Sequence, residues 1–311
     1  MILTVTLNTA LDVTYVVDHL VPHASHQVDT VYERAGGKGV NVARVLAALG
    51  HPVIVTGLAG GPTGSVLRGE LHTAGLWDEL SLVAGDSRRT VTVVSRVDGD
   101  ATVFNQRGPR IRPDEWAAFT THYAQLLPLA DVVVLSGSLP PGLPQDAYAE
   151  LITLAAGAGA ATVLDTSGPA LVAALGAGPD VVKPNAAELA AVTGHQDLAA
   201  GATALRGLGA RAVVASKGPE GLYAITPGGS WRAAPPEQLG GNPTGAGDAC
   251  VAALAAGLAA GTAWPELLRE AVALSAAAVP CAVAGDFDPD VHHRFRTATL
   301  VEEVHAPRLH R

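Results

Sequence analysis

The sequence predicts an α/β fold: a mostly parallel central sheet with helices on both faces, and a small second β-sheet beside it. Two observations carry this. Short apolar runs recur at residues 2–7, 53–58, 132–135, 162–164, 181–182 and 212–215, with helix-patterned stretches between them. Such alternation indicates parallel strands, and strands buried on both faces read as continuous apolar runs. The second observation is a break in the pattern. Residues 13–34 and 90–106 alternate apolar with polar, as in Thr90-Val-Thr-Val-Val-Ser-Arg-Val97, and Asp98-Gly-Asp100 reads as a turn. These are hairpins of a half-exposed sheet, suited to a lid or a dimer surface.

The helices follow from 3.6-residue spacing. They fall at about 39–49, 63–74, 114–127, 146–157, 186–193, 198–208 and 249–261. No linker or internal repeat divides the chain, so it reads as one domain, 1–311, with the two hairpins inserted. The mixed charge of 296–311 marks a loose end.

Composition limits the function classes. Apolar residues make up 48%, enough for a large core, while aromatics are only 4%, which points to alanine-rich helices packed closely on a sheet. The net charge of −9 argues against a nucleic-acid partner, which needs a basic face. The longest apolar stretches, 249–261 and 271–285, are shorter than a membrane span and read as buried helices. Cys250 and Cys281 have no metal-type spacing, and the first residues read as a strand rather than a signal peptide. A cytoplasmic location is the expectation. Only three lysines occur, Lys38, Lys183 and Lys217, each in a motif-like run.

The run Asn242-Pro-Thr-Gly-Ala-Gly-Asp-Ala249 carries the most chemistry. A glycine turn opens a helix, so the backbone N–H groups of Gly245, Ala246 and Gly247 suit a phosphate. Asp248 suits taking a proton from whatever attacks that phosphate. The same residues also read as a plain Asp-capped helix start.

Further motifs end strands or open helices, where α/β sheets bind ligands. Ala35-Gly-Gly-Lys-Gly-Val-Asn-Val-Ala-Arg44 offers Lys38 and Asn41 to a polyol or phosphate, although its spacing is not that of a P-loop. Ser138 lies in the Ser136–Gly142 turn. In Lys183-Pro-Asn-Ala-Ala-Glu188, Asn185 and Glu188 face one point, either to hold a Mg²⁺-bound water or as a capping box. Ser216-Lys-Gly-Pro-Glu-Gly221 suits nucleotide contacts, and Asp165-Thr-Ser-Gly168 is similar. Asp12 suits sugar hydroxyls, and Arg89 suits a substrate phosphate. The eleven histidines form no metal-type cluster.

In this order, the motifs resemble those of the ribokinase-like carbohydrate kinases, the PfkB family, over nearly the whole chain. Gly36–Arg44 is similar to the family's N-terminal signature and Pro243–Ala249 to its C-terminal one. Leu7-Asn-Thr-Ala-Leu-Asp12, Lys38 and Val283-Ala-Gly-Asp-Phe-Asp288 resemble the phosphosugar branch, the 1-phosphofructokinases and tagatose-6-phosphate kinases. Thr9, Lys217 and Pro243-Thr244 depart from the usual residues.

The resemblance implies an ATP-dependent kinase that converts fructose 1-phosphate to fructose 1,6-bisphosphate. Tagatose 6-phosphate, fructose 6-phosphate or another sugar is the alternative acceptor, and a non-catalytic sensor of the same fold is the alternative class. It implies Asp248 as general base and Gly245, Ala246 and Gly247 as anion hole. Asp12, Gly37 and Asn41 would hold sugar hydroxyls, and Lys38, Arg89 and Ser138 the phosphate already present. Lys183, Ser216, Gly218 and Gly221 would bind ATP, with Mg²⁺ positioned through Asn185 and Glu188. It also implies a homodimer formed through the lid.

Overall fold

The structure, a computed structural model, describes residues 1–97 and 101–304. The expected Asp98-Gly-Asp100 turn lies outside the described residues, as does the chain from 305 onward.

The first third of the chain builds one side of the body and the small sheet. Its elements are β1 (Ile2–Thr6), β2 (Ala10–Val17), β3 (Thr30–Gly36), α1 (Lys38–Ala48), β4 (Val53–Gly60), α2 (Gly61–Thr73), β5 (Trp77–Val83), β6 (Arg88–Ser95) and β7 (Ala101–Asn105). Then come α3 (Pro113–Leu126), β8 (Val132–Ser136), α4 (Ala147–Gly157), β9 (Ala161–Asp165), α5 (Gly168–Leu175), β10 (Val181–Val182), α6 (Ala186–Thr193), α7 (Leu198–Gly207) and β11 (Ala212–Ser216). The chain closes with β12 (Leu222–Thr226), β13 (Gly229–Ala234), α8 (Ala246–Ala259), α9 (Trp264–Ala278), α10 (Pro289–Ala298) and β14 (Leu300–Glu303).

Among the described residues, the large sheet runs β14-β13-β12-β11-β10-β9-β8-β1-β4-β5. Pairing is parallel from β11 through to β5, and β12, β13 and β14 add antiparallel strands at one edge. Strand order reverses at β1, which lies between β4 and β8. A crevice at the strands' carboxyl ends is expected at such a reversal.

Two apolar layers cover the sheet. Alternate residues of β1 show why: Ile2 joins the layer with α1, α2, α8 and α9, whereas Leu3 and Val5 join the layer with α3 to α7. Alanine gives the first layer its closeness. Ala249, Ala252, Ala253 and Ala255 of α8 are buried, and at Gly257 a Cβ would meet Leu267 at 2.7 Å. Larger side chains there would push α9 away.

The smaller sheet runs β3-β2-β6-β7. It begins at Ala10 and Arg88, earlier than the hairpins expected at 13–34 and 90–106. Its central pair, β2 with β6, is parallel, so the sheet is not two simple hairpins. The expected loose end at 296–311 is in part ordered: α10 runs to Ala298 and β14 pairs with β13. The run Leu300–Glu303 has no apolar-polar alternation; it becomes an edge strand by backbone pairing with β13. Among the described residues, no helix is long and apolar enough to cross a membrane.

Candidate active site

A cavity of about 800 Å³ lies between the small sheet and the carboxyl ends of the central strands. Its floor is the start of α8. Gly245 caps that helix with φ +94°, and a Cβ there would lie 2.9 Å from Ala284 Cα. Only glycine fits both constraints. The Ala246 N–H donates to Pro243 O at 3.2 Å. Among the described residues the N–H groups of Gly247 and Asp248 have no acceptor, so the helix start presents open donors to the cavity.

Asp248 sits in the first turn and is buried. Its Oδ2 accepts a hydrogen bond from Asn41 Nδ2 at 2.8 Å. Burial pushes its carboxyl from the ordinary 3.8 up to about 6, with the charge of Asp165 adding to the rise. The Lys38 and Lys183 ammonium groups and the Asn41 hydrogen bond oppose it. The result is a carboxylate basic enough to accept a proton yet ionised at neutral pH. Asn41 was expected on sugar hydroxyls; it lines the cavity, and one of its amide N–H groups donates to Asp248.

Two of the three lysines converge on one carboxylate. Lys38 Nζ lies 3.1 Å from Asp165 Oδ2, and Lys183 Nζ lies 3.4 Å from Asp165 Oδ1. Burial works to raise the Asp165 carboxyl, but the two ammonium groups overcome it and hold the group below its ordinary range. Lys183 is almost fully buried, whereas the Lys38 side chain is 41% exposed and lines the cavity. A Cβ on Gly247 would sit 3.5 Å from Lys183 Nζ, which puts that ammonium beside the α8 turn. In the sequence Asp165 stands within a run suited to nucleotide contacts, Asp165-Thr-Ser-Gly168, and not as a counter-charge. The signal that could have found it is the scarcity of lysine, because cations kept in buried positions need a counter-charge.

At the small-sheet end, Asp12 faces the cavity from β2. Burial raises its carboxyl, against a Thr90 hydrogen bond, Arg88, the Gly37 N–H and Arg34. At Gly36 a Cβ would lie 2.0 Å from Asp12 Oδ2, so glycine is what lets this carboxylate reach inward. Gly37, with φ +97°, turns the chain from β3 into α1 and sets Lys38 at the cavity wall.

Two expected phosphate contacts lie elsewhere. Strand alternation turns Arg88, Thr90 and Thr92 of β6 to the cavity, so Arg89 falls on the other face. Arg88 donates to Asn8 O at 3.1 Å and to Thr90 Oγ1 at 3.1 Å. Ser138 is exposed, accepts from Asn8 Nδ2 at 3.1 Å, and is not among the cavity-lining residues.

The opposite end has an apolar wall that includes Leu222, Pro235, Val272 and Val279, suited to a planar base. Ser216, Gly218 and Gly221 line it as well. Asn185 and Glu188 form a reciprocal capping box: Glu188 N–H donates to Asn185 Oδ1 at 2.8 Å, and Asn185 N–H donates to Glu188 Oε2 at 2.9 Å. Both also line the cavity, so the cap fixes them without removing them from it. The Glu188 Oε1 atom is left for a hard cation. Among the described residues no three acidic, histidine or cysteine side chains cluster as a metal cage. That donor set fits a Mg²⁺ held mainly by phosphate oxygens and water.

An open helix start, a buried carboxylate beside it and cations on both sides are the groups a phosphoryl-transfer site needs, and here they sit on a ribokinase-like fold. The model of the pfkB family carbohydrate kinases matches residues 4–290, and the chain belongs to that family of ATP-dependent phosphotransferases. It is 42% identical over 265 residues to a 1-phosphofructokinase of Xanthomonas campestris pv. campestris, covering 82% of this chain and 83% of that one. It is 37% identical to a 1-phosphofructokinase of Rhodobacter capsulatus over 97% of this chain and 96% of that one. A solved structure of a possible 1-phosphofructokinase from Thermotoga maritima superposes with a TM-score of 0.90 at 26% identity, covering 98% of this chain and 100% of that one.

Proposed function

We propose that this kinase transfers the γ-phosphoryl group of ATP to the free primary hydroxyl of fructose 1-phosphate, giving fructose 1,6-bisphosphate. The observation that carries the reading is Asp248: a buried carboxylate raised to about 6, next to the open N–H groups of α8. Asp248 takes the proton of the attacking hydroxyl. The Gly245–Gly247 turn stabilises charge on the transferring group, an electrostatic effect worth roughly 3 kcal/mol per well-aimed donor. When bound on the ATP phosphates, Mg²⁺ supplies further neutralisation of that charge, with Asn185 and Glu188 to hold its shell.

A phosphorylated acceptor accounts for the cations at the lid end. Arg88 lines the cavity beside Asp12, which suits a hydroxyl, and Lys38 lines it beside Asp165 and Asp248. The relatives named 1-phosphofructokinase support the same acceptor. An ADP-release assay over fructose 1-phosphate, tagatose 6-phosphate, fructose 6-phosphate and unphosphorylated fructose tests it. The expected result is the highest kcat/KM on fructose 1-phosphate. A higher value on another acceptor would reassign the substrate, and no turnover on any would favour a sensor.

The partner is a second copy of the chain. The outer face of the lid carries Val31, 48% exposed, and Phe104, 58% exposed, which a lid-to-lid homodimer would cover. Phe104→Arg should shift the chain from dimer to monomer in light scattering.

A further inference from the structure

Arg34 and Asp286 are 252 residues apart in sequence and form a two-pronged ion pair. Arg34 Nη1 lies 2.8 Å from Asp286 Oδ2 and Nη2 lies 2.7 Å from Asp286 Oδ1. Arg34 Nη1 also reaches Ala284 O at 3.4 Å. This fork geometry fixes orientation as well as distance.

The two ends belong to different halves of the site. Arg34 is on β3, an edge strand of the lid, directly opposite Asp12 in the β2–β3 register. Asp286 is in the segment between α9 and α10, which packs against the catalytic floor. Ala284 is the neighbour that forbids a side chain at Gly245. At Gly285 a Cβ would meet Asn41 Cα at 3.3 Å, and Asn41 holds Asp248. The segment therefore touches both the anion turn and the support of the base, and one ion pair ties it to the acceptor side of the lid.

We propose that the Arg34–Asp286 pair is a latch that couples nucleotide binding to acceptor binding, with Arg34 and Asp286 as positioning residues. Phosphates at the α8 turn set the 284–286 segment, and the latch passes that position to β3 and the acceptor side of the lid. Coupling of this kind is reciprocal, so the acceptor tightens nucleotide binding by the same factor. The proposal rests on the kinase reading above.

Calorimetry on the full chain tests it, titrating fructose 1-phosphate with and without a saturating non-hydrolysable ATP analogue and Mg²⁺. In the unaltered protein the analogue should tighten the acceptor by about tenfold, within the usual range of coupling. Arg34→Gln and Asp286→Asn should each reduce this to less than about twofold, and the double variant should lose no more. Arg34→Lys keeps the charge and should restore part of it. Melting temperatures should stay within about 2 °C, because the pair is half-exposed.

Full coupling in either single variant would overturn the latch, as would no coupling in the unaltered protein. So would loss of acceptor affinity without nucleotide in Arg34→Gln but not in Asp286→Asn, since that marks a direct substrate contact. A second measurement needs no acceptor. The analogue alone should slow hydrogen exchange over residues 30–36 in the unaltered protein but not in Asp286→Asn; equal slowing in both would also overturn the latch. If the unaltered protein binds no phosphosugar but exchange behaves as expected, the acceptor assignment fails and the latch stands.

Discussion

Asn41 Nδ2 donates to Asp248 Oδ2 at 2.8 Å, and this bond joins the first turn of α1 to the first turn of α8. Two signature motifs far apart in the chain meet in one buried contact. The bond favours the ionised carboxylate and so lowers its pKa. Asn41→Ala removes that bias, leaving burial less opposed. The acid limb of the kcat–pH profile, expected near 6, should move to higher pH, and kcat at neutral pH should fall about tenfold. A profile with its acid limb unmoved would show that Asn41 does not act on the base.

Asp248 is expected to limit stability as well as provide the base. Its carboxyl rises from 3.8 to about 6 on folding, so the fold tolerates the neutral form better. Its contribution to stability is full below about pH 4 and is lost as pH rises through about 6. Asp248→Asn should therefore raise Tm at pH 8 by at least about 2 °C and change it little at pH 4. Its turnover should fall by at least about 10²-fold, with nucleotide binding largely retained. Equal Tm changes at both pH values would argue against ionisation as the cause.

Arg88 and Arg89 separate a sequence expectation from a spatial one. Arg88→Ala should raise KM for the phosphosugar by about tenfold or more and leave KM for ATP within about twofold. Arg89→Ala should do neither, since its side chain lies on the other face of β6. Steady-state kinetics on the two variants checks this, and the reverse pattern would reinstate Arg89.

The same pair shows where sequence reading stops. The apolar runs of the central strands were legible because a strand buried on both faces has no polar positions to confuse it. The glycine turns at Gly37 and Gly245 were legible because positive φ and close approach select glycine. Strand parity in the lid was not. Reading β6 from residue 90 rather than Arg88 left open which arginine faces inward, and in a strand neighbouring residues point oppositely. Asp165 and the Arg34–Asp286 pair were hidden for a different reason. Lys38 is 127 residues from Asp165 and Arg34 is 252 from Asp286, and no local pattern records a contact made only by the closed fold.

Asp165 supports the sharpest contrast with Asn41. It is the counter-charge of Lys38 and Lys183, and its own charge raises the Asp248 carboxyl. Asp165→Asn leaves two ammonium groups near each other, one of them deeply buried. Removing one partner of a buried ion pair costs about 3–5 kcal/mol, which urea unfolding should detect. In the folded variant, two effects act on Asp248 in one direction. The raising charge is gone, and the lysines are no longer neutralised. The acid limb of kcat should shift to lower pH, opposite to the shift in Asn41→Ala. A shift in the same direction as Asn41→Ala would mean that Asp165 acts on Asp248 by packing and not by charge.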